Sequence, residues 1–128
     1  MTPLELIDRV REFKPCILEN TALLSFLSKV EAKLRLIINN EDEFESLKYE
    51  EIDEFELLLP EEFSEIYEYY VASQIDLYSN DIPSHNNFIT LYNNAMREYM
   101  NYLKSRMQPS PVRQYDIKGA FKKWNYQS

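Results

Sequence analysis

A chain of 128 residues with 45% hydrophobic residues and a formal net charge of −8 is long enough for one domain with its own core, and too acidic for general affinity to nucleic acid or an anionic membrane. A single glycine argues against sheets and tight hairpins, and the lone Cys16 excludes an internal disulfide, which fits a reducing compartment. No stretch approaches the roughly 20 apolar residues of a membrane span, and Met1–Glu5 lacks the basic start of a signal peptide.

The first helix is predicted to begin at Thr2-Pro3-Leu4-Glu5. Thr2 can accept from the third amide, Pro3 suits the first helical position, and Glu5 can reach back as in a capping box. Leu4, Ile7 and Val10 follow at helical spacing, and Pro15 stops the helix near Phe13. A second helix is predicted from Asn20 or Thr21 to about Asn39. Leu23, Leu27, Val30, Leu34 and Ile37 or Ile38 step by three and four along it, with Glu31, Lys33 and Arg35 on its wet side.

Residues 40–59 lose that rhythm. An irregular acidic loop is expected, with room for one helical turn, pinned by Phe44, Leu47, Tyr49, Ile52 and Phe55; Phe55–Leu59 can form a short strand. Pro60-Glu61-Glu62 opens a third helix, at about 60–80, whose carboxylates suit the helix dipole. Phe63, Ile66, Tyr67, Tyr70, Val71, Gln74, Leu77 and Tyr78 are expected to line its buried face. Asp81 or Ser84 caps a fourth helix, at about 82–107, with a stripe of Phe88, Leu91, Tyr92, Ala95, Tyr99, Tyr102 and Leu103. The short turn between the third and fourth helices predicts a long antiparallel hairpin. The fold class is therefore all-α, a small bundle of about four helices. Gln108-Pro109-Ser110-Pro111 marks a boundary between a helical body (1–108) and a C-terminal tail (109–128).

Charge is distributed unevenly along this frame. Residues 41–62 carry eleven Asp and Glu against Lys48 alone. The tail runs the other way, with Arg113, Lys118, Lys122 and Lys123 against Asp116, and adds Tyr115, Phe121, Trp124 and Tyr126. Such aromatic groups need a cover, so Tyr115, Phe121, Lys122, Lys123, Trp124 and Tyr126 are candidate docking residues. Ten tyrosines are present. They suit either the rim of a core or a subunit interface, and Tyr69, which falls off the main apolar stripe, is the candidate interface residue in the body.

No catalytic or cofactor-binding pattern emerges. His85 has no nucleophile at recognisable spacing and reads as a capping or surface group; an Asp81–His85 pair alone does not make a metal site. Cys16 reads as a buried structural thiol. With Gly119 the only glycine, neither a phosphate-cradling loop nor a calcium loop can form. The expectation is a non-enzyme with no catalytic, cofactor or metal residues.

The run from Pro60-Glu61-Glu62-Phe63 to Ile75-Asp76-Leu77-Tyr78, and its continuation from His85-Asn86-Asn87-Phe88 through Leu91-Tyr92-Asn93-Asn94-Ala95 to Tyr99, resemble the core of the small head–tail connector (neck adaptor) proteins of tailed bacteriophages and prophages. The opening Thr2–Val10 and the Leu27–Glu31 segment resemble it too, whereas 41–59 matches little and His85 stands where that family carries Tyr. The resemblance implies a helical adaptor in the virion neck, assembled in the bacterial cytoplasm as a cyclic homo-oligomer of about a dozen copies under the portal protein. It further implies a channel through which DNA passes without specific binding, an attachment site for a neck stopper or tail-completion protein, a C-terminal segment that reaches the portal, and no membrane partner. In such a ring Glu41, Asp42, Glu43, Glu45, Glu50, Glu51, Asp53, Glu54 and Glu56 are expected at the lumen or rim, where a lack of cations spares sliding DNA extra phosphate contacts. The alternative is a monomeric acidic DNA mimic that inhibits a nucleic-acid enzyme.

Overall fold

The computed structural model describes residues 1–107, and each predicted helix is present. Helix α1 spans Pro3–Phe13. Thr2 Oγ1 accepts from the Glu5 amide at 3.3 Å and Glu5 Oε1 accepts from the Thr2 amide at 2.9 Å, so the capping box forms. The Thr2 amide holds the Glu5 carboxyl below its usual range. Helix α2 spans Asn20–Asn39 and ends where Asn40 turns left-handed (φ 58°), a conformation Asn tolerates better than most side chains.

Helix α3 spans Glu65–Tyr78, and the acidic residues expected to open it form a separate 3-10 turn, Glu61–Phe63. Its buried face also differs from the expected one. Ile66, Tyr67 and Val71 lie inside as expected, but so do Ala72, Ser73, Ile75 and Asp76, while Leu77 and Tyr78 are exposed. The reason is position: α1 and α2 both pack on α3, which buries a wider arc than a single stripe. Helix α4 spans Ile82–Met107, with the Asp81 carboxylate accepting from the Ser84 amide at 3.3 Å.

Leu6, Ile7 and Val10 of α1 meet Leu23, Leu27, Val30 and Leu34 of α2 and Ile66, Tyr67 and Val71 of α3 in one core. Leu57 and Leu59 from the preceding loop complete it. Helix α4 joins α3 through the turn Ser79–Asp81, with Asn80 left-handed (φ 62°). Ser84 meets Asp76, His85 meets Ser73 and Phe88 meets Tyr69, so the pairing descends α3 as it climbs α4: the two helices are antiparallel.

No strand occurs among the described residues. Phe55–Leu59 is irregular because its amides are committed elsewhere. Leu57 N–H donates to the Met1 carbonyl, Leu58 N–H to Glu31 Oε2 and Leu59 N–H to the Tyr67 hydroxyl. The single expected turn in the loop is the 3-10 turn Tyr49–Glu51.

Internal packing divides the chain into Met1–Arg97 and Glu98–Ser128. Of the second unit only the end of α4 is described. There the rings of Tyr99 and Tyr102 stack at 6.2 Å, and Arg106 lies over Tyr102 and donates to its hydroxyl. The expected tail, 109–128, with Tyr115, Phe121, Lys122, Lys123, Trp124 and Tyr126, lies outside the described residues.

Candidate interaction surface

The acidic loop is fastened to the helices by one buried carboxylate that the helical pattern had placed in water. Glu31 is 0% exposed. Its Oε1 accepts from the Tyr67 hydroxyl at 2.6 Å; its Oε2 accepts from Arg35 Nε at 2.8 Å and from the Leu58 amide at 3.0 Å. A buried carboxylate is tolerable only with such pairing. Burial, with the Glu31 charge beside it, raises the Tyr67 phenol far above its usual range. Glu31 does fall on the apolar stripe, four residues after Leu27 and three before Leu34. That spacing was the signal available in the sequence, and the residue type obscured it.

Arg35, also expected on the wet side, carries the loop outward from there. Its guanidinium lies over the rings of Phe44 (4.9 Å) and Phe55 (5.3 Å), pairs with Glu41 at 3.5 Å and donates to the Glu56 carbonyl at 3.4 Å. Farther along, the Leu47 amide donates to the buried Ser28 hydroxyl at 2.9 Å. The loop is thus a built element with Phe44, Leu47, Ile52 and Phe55 turned inward, whereas Tyr49, expected to help pin it, is exposed. Its carboxylates Asp42, Glu43, Glu45, Glu50, Glu51, Asp53, Glu54 and Glu56 are exposed, and Glu41 is half-buried.

A second polar cluster ties α1, α3 and the start of α4. Asp76, 2% exposed, accepts from the Ser84 hydroxyl and pairs with Lys14 Nζ. Lys14 also donates to Ser84 Oγ at 3.2 Å and lies over the Phe88 ring at 5.3 Å. His85 does not stand on the surface alone: its Nδ1 is 2.7 Å from the Ser73 carbonyl, so this nitrogen carries the proton and donates. Tyr69, the interface candidate of the body, is half-buried with its ring 6.3 Å from Phe88. Tyr70 meets Tyr92 at 5.4 Å; the Tyr92 hydroxyl is buried with no hydrogen-bond partner among the described residues, and burial raises its pKa. Cys16 is half-buried rather than enclosed, its Sγ 3.7 Å from Arg11 Nη1. Arg11 spends its other donors on Asn20 Oδ1 and the Leu18 carbonyl, which fixes the connection from α1 to α2.

No family model, no curated protein and no solved structure matches this chain. Among the described residues no group of three or more His, Cys, Asp and Glu converges on a metal position, and no helix is long and apolar enough to cross a membrane.

What the arrangement offers chemically is surface. Ile17 is 96% exposed and Tyr78 67%, with Phe13, Leu77 and Ile82 also uncovered where the α1–α2 connection and the α3–α4 turn present them. Leu36, Ile37 and Tyr49 are uncovered on α2 and the loop. Exposed aliphatic and aromatic side chains on well-fastened elements suit contact with another protein.

Proposed function

We propose that the protein is a structural component of a phage or prophage virion: a head–tail connector that assembles as a ring under the portal, extends the DNA channel and offers an attachment site to a stopper or tail-completion protein. The observation that carries this reading is the antiparallel pairing of α3 and α4. Of the two sequence runs with the connector resemblance, 60–78 covers the 3-10 turn Glu61–Phe63 and all of α3, and 85–99 falls on α4. The uncovered apolar side chains at Phe13, Ile17, Tyr78 and Ile82 supply surface for a neighbouring copy in a heterologous, ring-closing contact. The exposed loop carboxylates far outnumber its one cation, Lys48, so the loop offers passing DNA little to hold. In this reading Tyr115, Phe121, Lys122, Lys123, Trp124 and Tyr126 are the portal-binding residues.

The acidic loop also favours a second reading, a monomeric DNA mimic that blocks a nucleic-acid enzyme, because all its carboxylates except Glu41 are exposed. One experiment separates the two. Light scattering across protein concentration, with and without the cognate purified portal, is expected to show a portal-bound ring. Trp124→Ala with Lys122→Glu and Lys123→Glu is expected to weaken that binding. A protein that stays monomeric at all concentrations and ignores the portal would overturn the connector reading in favour of the mimic.

A further inference from the structure

The acidic loop is held firmly at its two ends and lightly between them. At its start the Glu41 amide donates to the Arg35 carbonyl at 3.1 Å. At its end Leu57 and Leu59 are buried, and the amides of 57–59 are spent on Met1, Glu31 and Tyr67. Between these ends only Leu47 is buried. The rest of the hold comes from a few contacts. The Leu47 amide donates to Ser28, the Phe44 and Phe55 rings lie under the Arg35 guanidinium, and the Ile52 carbonyl accepts from the Leu4 amide at 2.9 Å. A hollow of about 430 Å³ remains where Phe44, Ser46, Leu47 and Tyr49 face Leu24, Ser28 and Ala32 of α2, so this span is not packed flush on the helix.

The same span is charged against itself. Asp42, Glu43, Glu50, Glu51, Asp53 and Glu54 are exposed and have no ion pair among the described residues, and Glu45 has only the exposed Lys48 at 3.6 Å. Hydrogen bonds from the Glu51, Ile52 and Phe55 amides to the Lys48, Tyr49 and Glu51 carbonyls coil residues 48–55 into successive turns. Glu50, Glu51, Asp53 and Glu54 therefore stand within about 15 Å of one another, the most that five residues of chain allow between backbones. Like charges at that spacing repel at about 0.01 M salt, where the screening length is about 30 Å, and are largely screened above about 0.1 M, where it is about 10 Å or less. The Arg35 latch is less sensitive to salt, because its guanidinium is mostly buried.

We propose that residues 42–56 are a strap latched to α2 by Arg35 and sprung by their own carboxylates. The strap lies shut where counter-ions screen those charges. It lifts where counter-ions are scarce, and lifting bares Leu24 and Leu47 at the outer side of α2. The core of α1–α3 stays folded meanwhile, because its side chains come from the helices and from Leu57 and Leu59, outside the strap. The device works on one copy, whether or not a ring forms, so it is independent of the connector reading.

The test is amide hydrogen exchange on the full chain at about 0.01 M and about 0.5 M sodium chloride, expressed as protection relative to unstructured peptides in the same salt. Protection in residues 47–55 is expected to rise about tenfold or more at high salt, with residues 23–34 unchanged. The fourfold change Glu50→Gln, Glu51→Gln, Asp53→Asn, Glu54→Gln is expected to keep the strap protected at both salt levels. The change Asp8→Asn, Glu12→Gln, Glu19→Gln, Glu98→Gln alters net charge equally at exposed positions off the strap, and is expected to leave the salt response of 47–55 intact. Three results would overturn the assignment: protection of 47–55 that ignores salt, a salt response that survives the first set of changes, or equal loss of the response from both sets. All eight side chains are exposed, and protection of 23–34 reports in each variant that the core has folded.

Discussion

The Tyr67 hydroxyl stands between two elements that the chain separates widely: it donates to Glu31 Oε1 at 2.6 Å and accepts from the Leu59 amide at 3.0 Å. One phenol therefore joins α2, α3 and the end of the acidic loop. Removing it strands a buried carboxylate oxygen and a buried amide together. Tyr67→Phe is expected to lower unfolding free energy by about 1–3 kcal/mol, the cost of leaving buried polar groups unsatisfied. Denaturant unfolding of the variant measures this directly, and a midpoint equal to the parent's would show that the network contributes nothing.

The same phenol sets an alkaline limit. Burial and the Glu31 charge raise its pKa above the ordinary value of 10.0, and burial raises Tyr70, Tyr92 and Tyr99 as well. The unfolded chain then releases protons at lower pH than the folded one. The resulting stabilisation is complete below about pH 10 and declines as pH rises beyond it. Thermal melts from pH 8 to 11 are expected to show Tm falling above pH 10, with a shallower fall in Tyr67→Phe. A Tm that is flat or rising through that range would contradict the sign.

Leu34 is fully buried near the middle of the core stripe. Leu34→Ala removes three heavy atoms and leaves a cavity among packed neighbours, which is expected to cost ~2–5 kcal/mol. Leu36→Ala, two residues on and exposed, is expected to cost less than about 0.5 kcal/mol. The contrast between the two, read from denaturation midpoints, tests the orientation of α2. Similar losses at both positions would mean that the helix is turned differently.

Most of the helical frame was legible because local signals and core packing agree. Thr2, Pro3 and Glu5 start α1, Leu23, Leu27, Val30 and Leu34 place α2, and Asp81 with Pro83 starts α4. Misreadings came from residues whose partners lie far away in sequence. Glu31 looks like a solvated carboxylate, and Asp76 falls outside the expected buried stripe, until Tyr67, or Lys14 and Ser84, arrive from other elements. A hydrophobic pattern sees only apolar side chains, so it passes over polar groups that a core accepts by pairing them. The strand proposed at Phe55–Leu59 failed for the same reason: acceptors on α2, α3 and at Met1 took the amides a ladder would have used. For the interaction surface, the sequence revealed the acidic charge of the loop but not that Arg35 and Ser28 would hold it against α2.

The polar cluster around Asp76 makes a prediction about which part of the fold opens first. In the first unit α4 buries only Tyr92 and Ala95, and among the described residues the Tyr92 hydroxyl has no partner, so apolar burial holds this helix weakly compared with α1–α3. What remains at its start is the pairing of Lys14, Asp76 and Ser84, together with His85 on the Ser73 carbonyl. Asp76→Ala removes the shared acceptor and leaves the half-buried Lys14 ammonium without its counter-charge. Local opening of residues 82–97 then becomes easier while the core of α1–α3 retains its own contacts. Hydrogen exchange is expected to show at least tenfold faster amides in 82–97 and unchanged protection in 23–34. Equal acceleration of both segments would mean that α4 unfolds only with the whole unit, and that the Asp76 cluster belongs to the global core rather than to a separable contact.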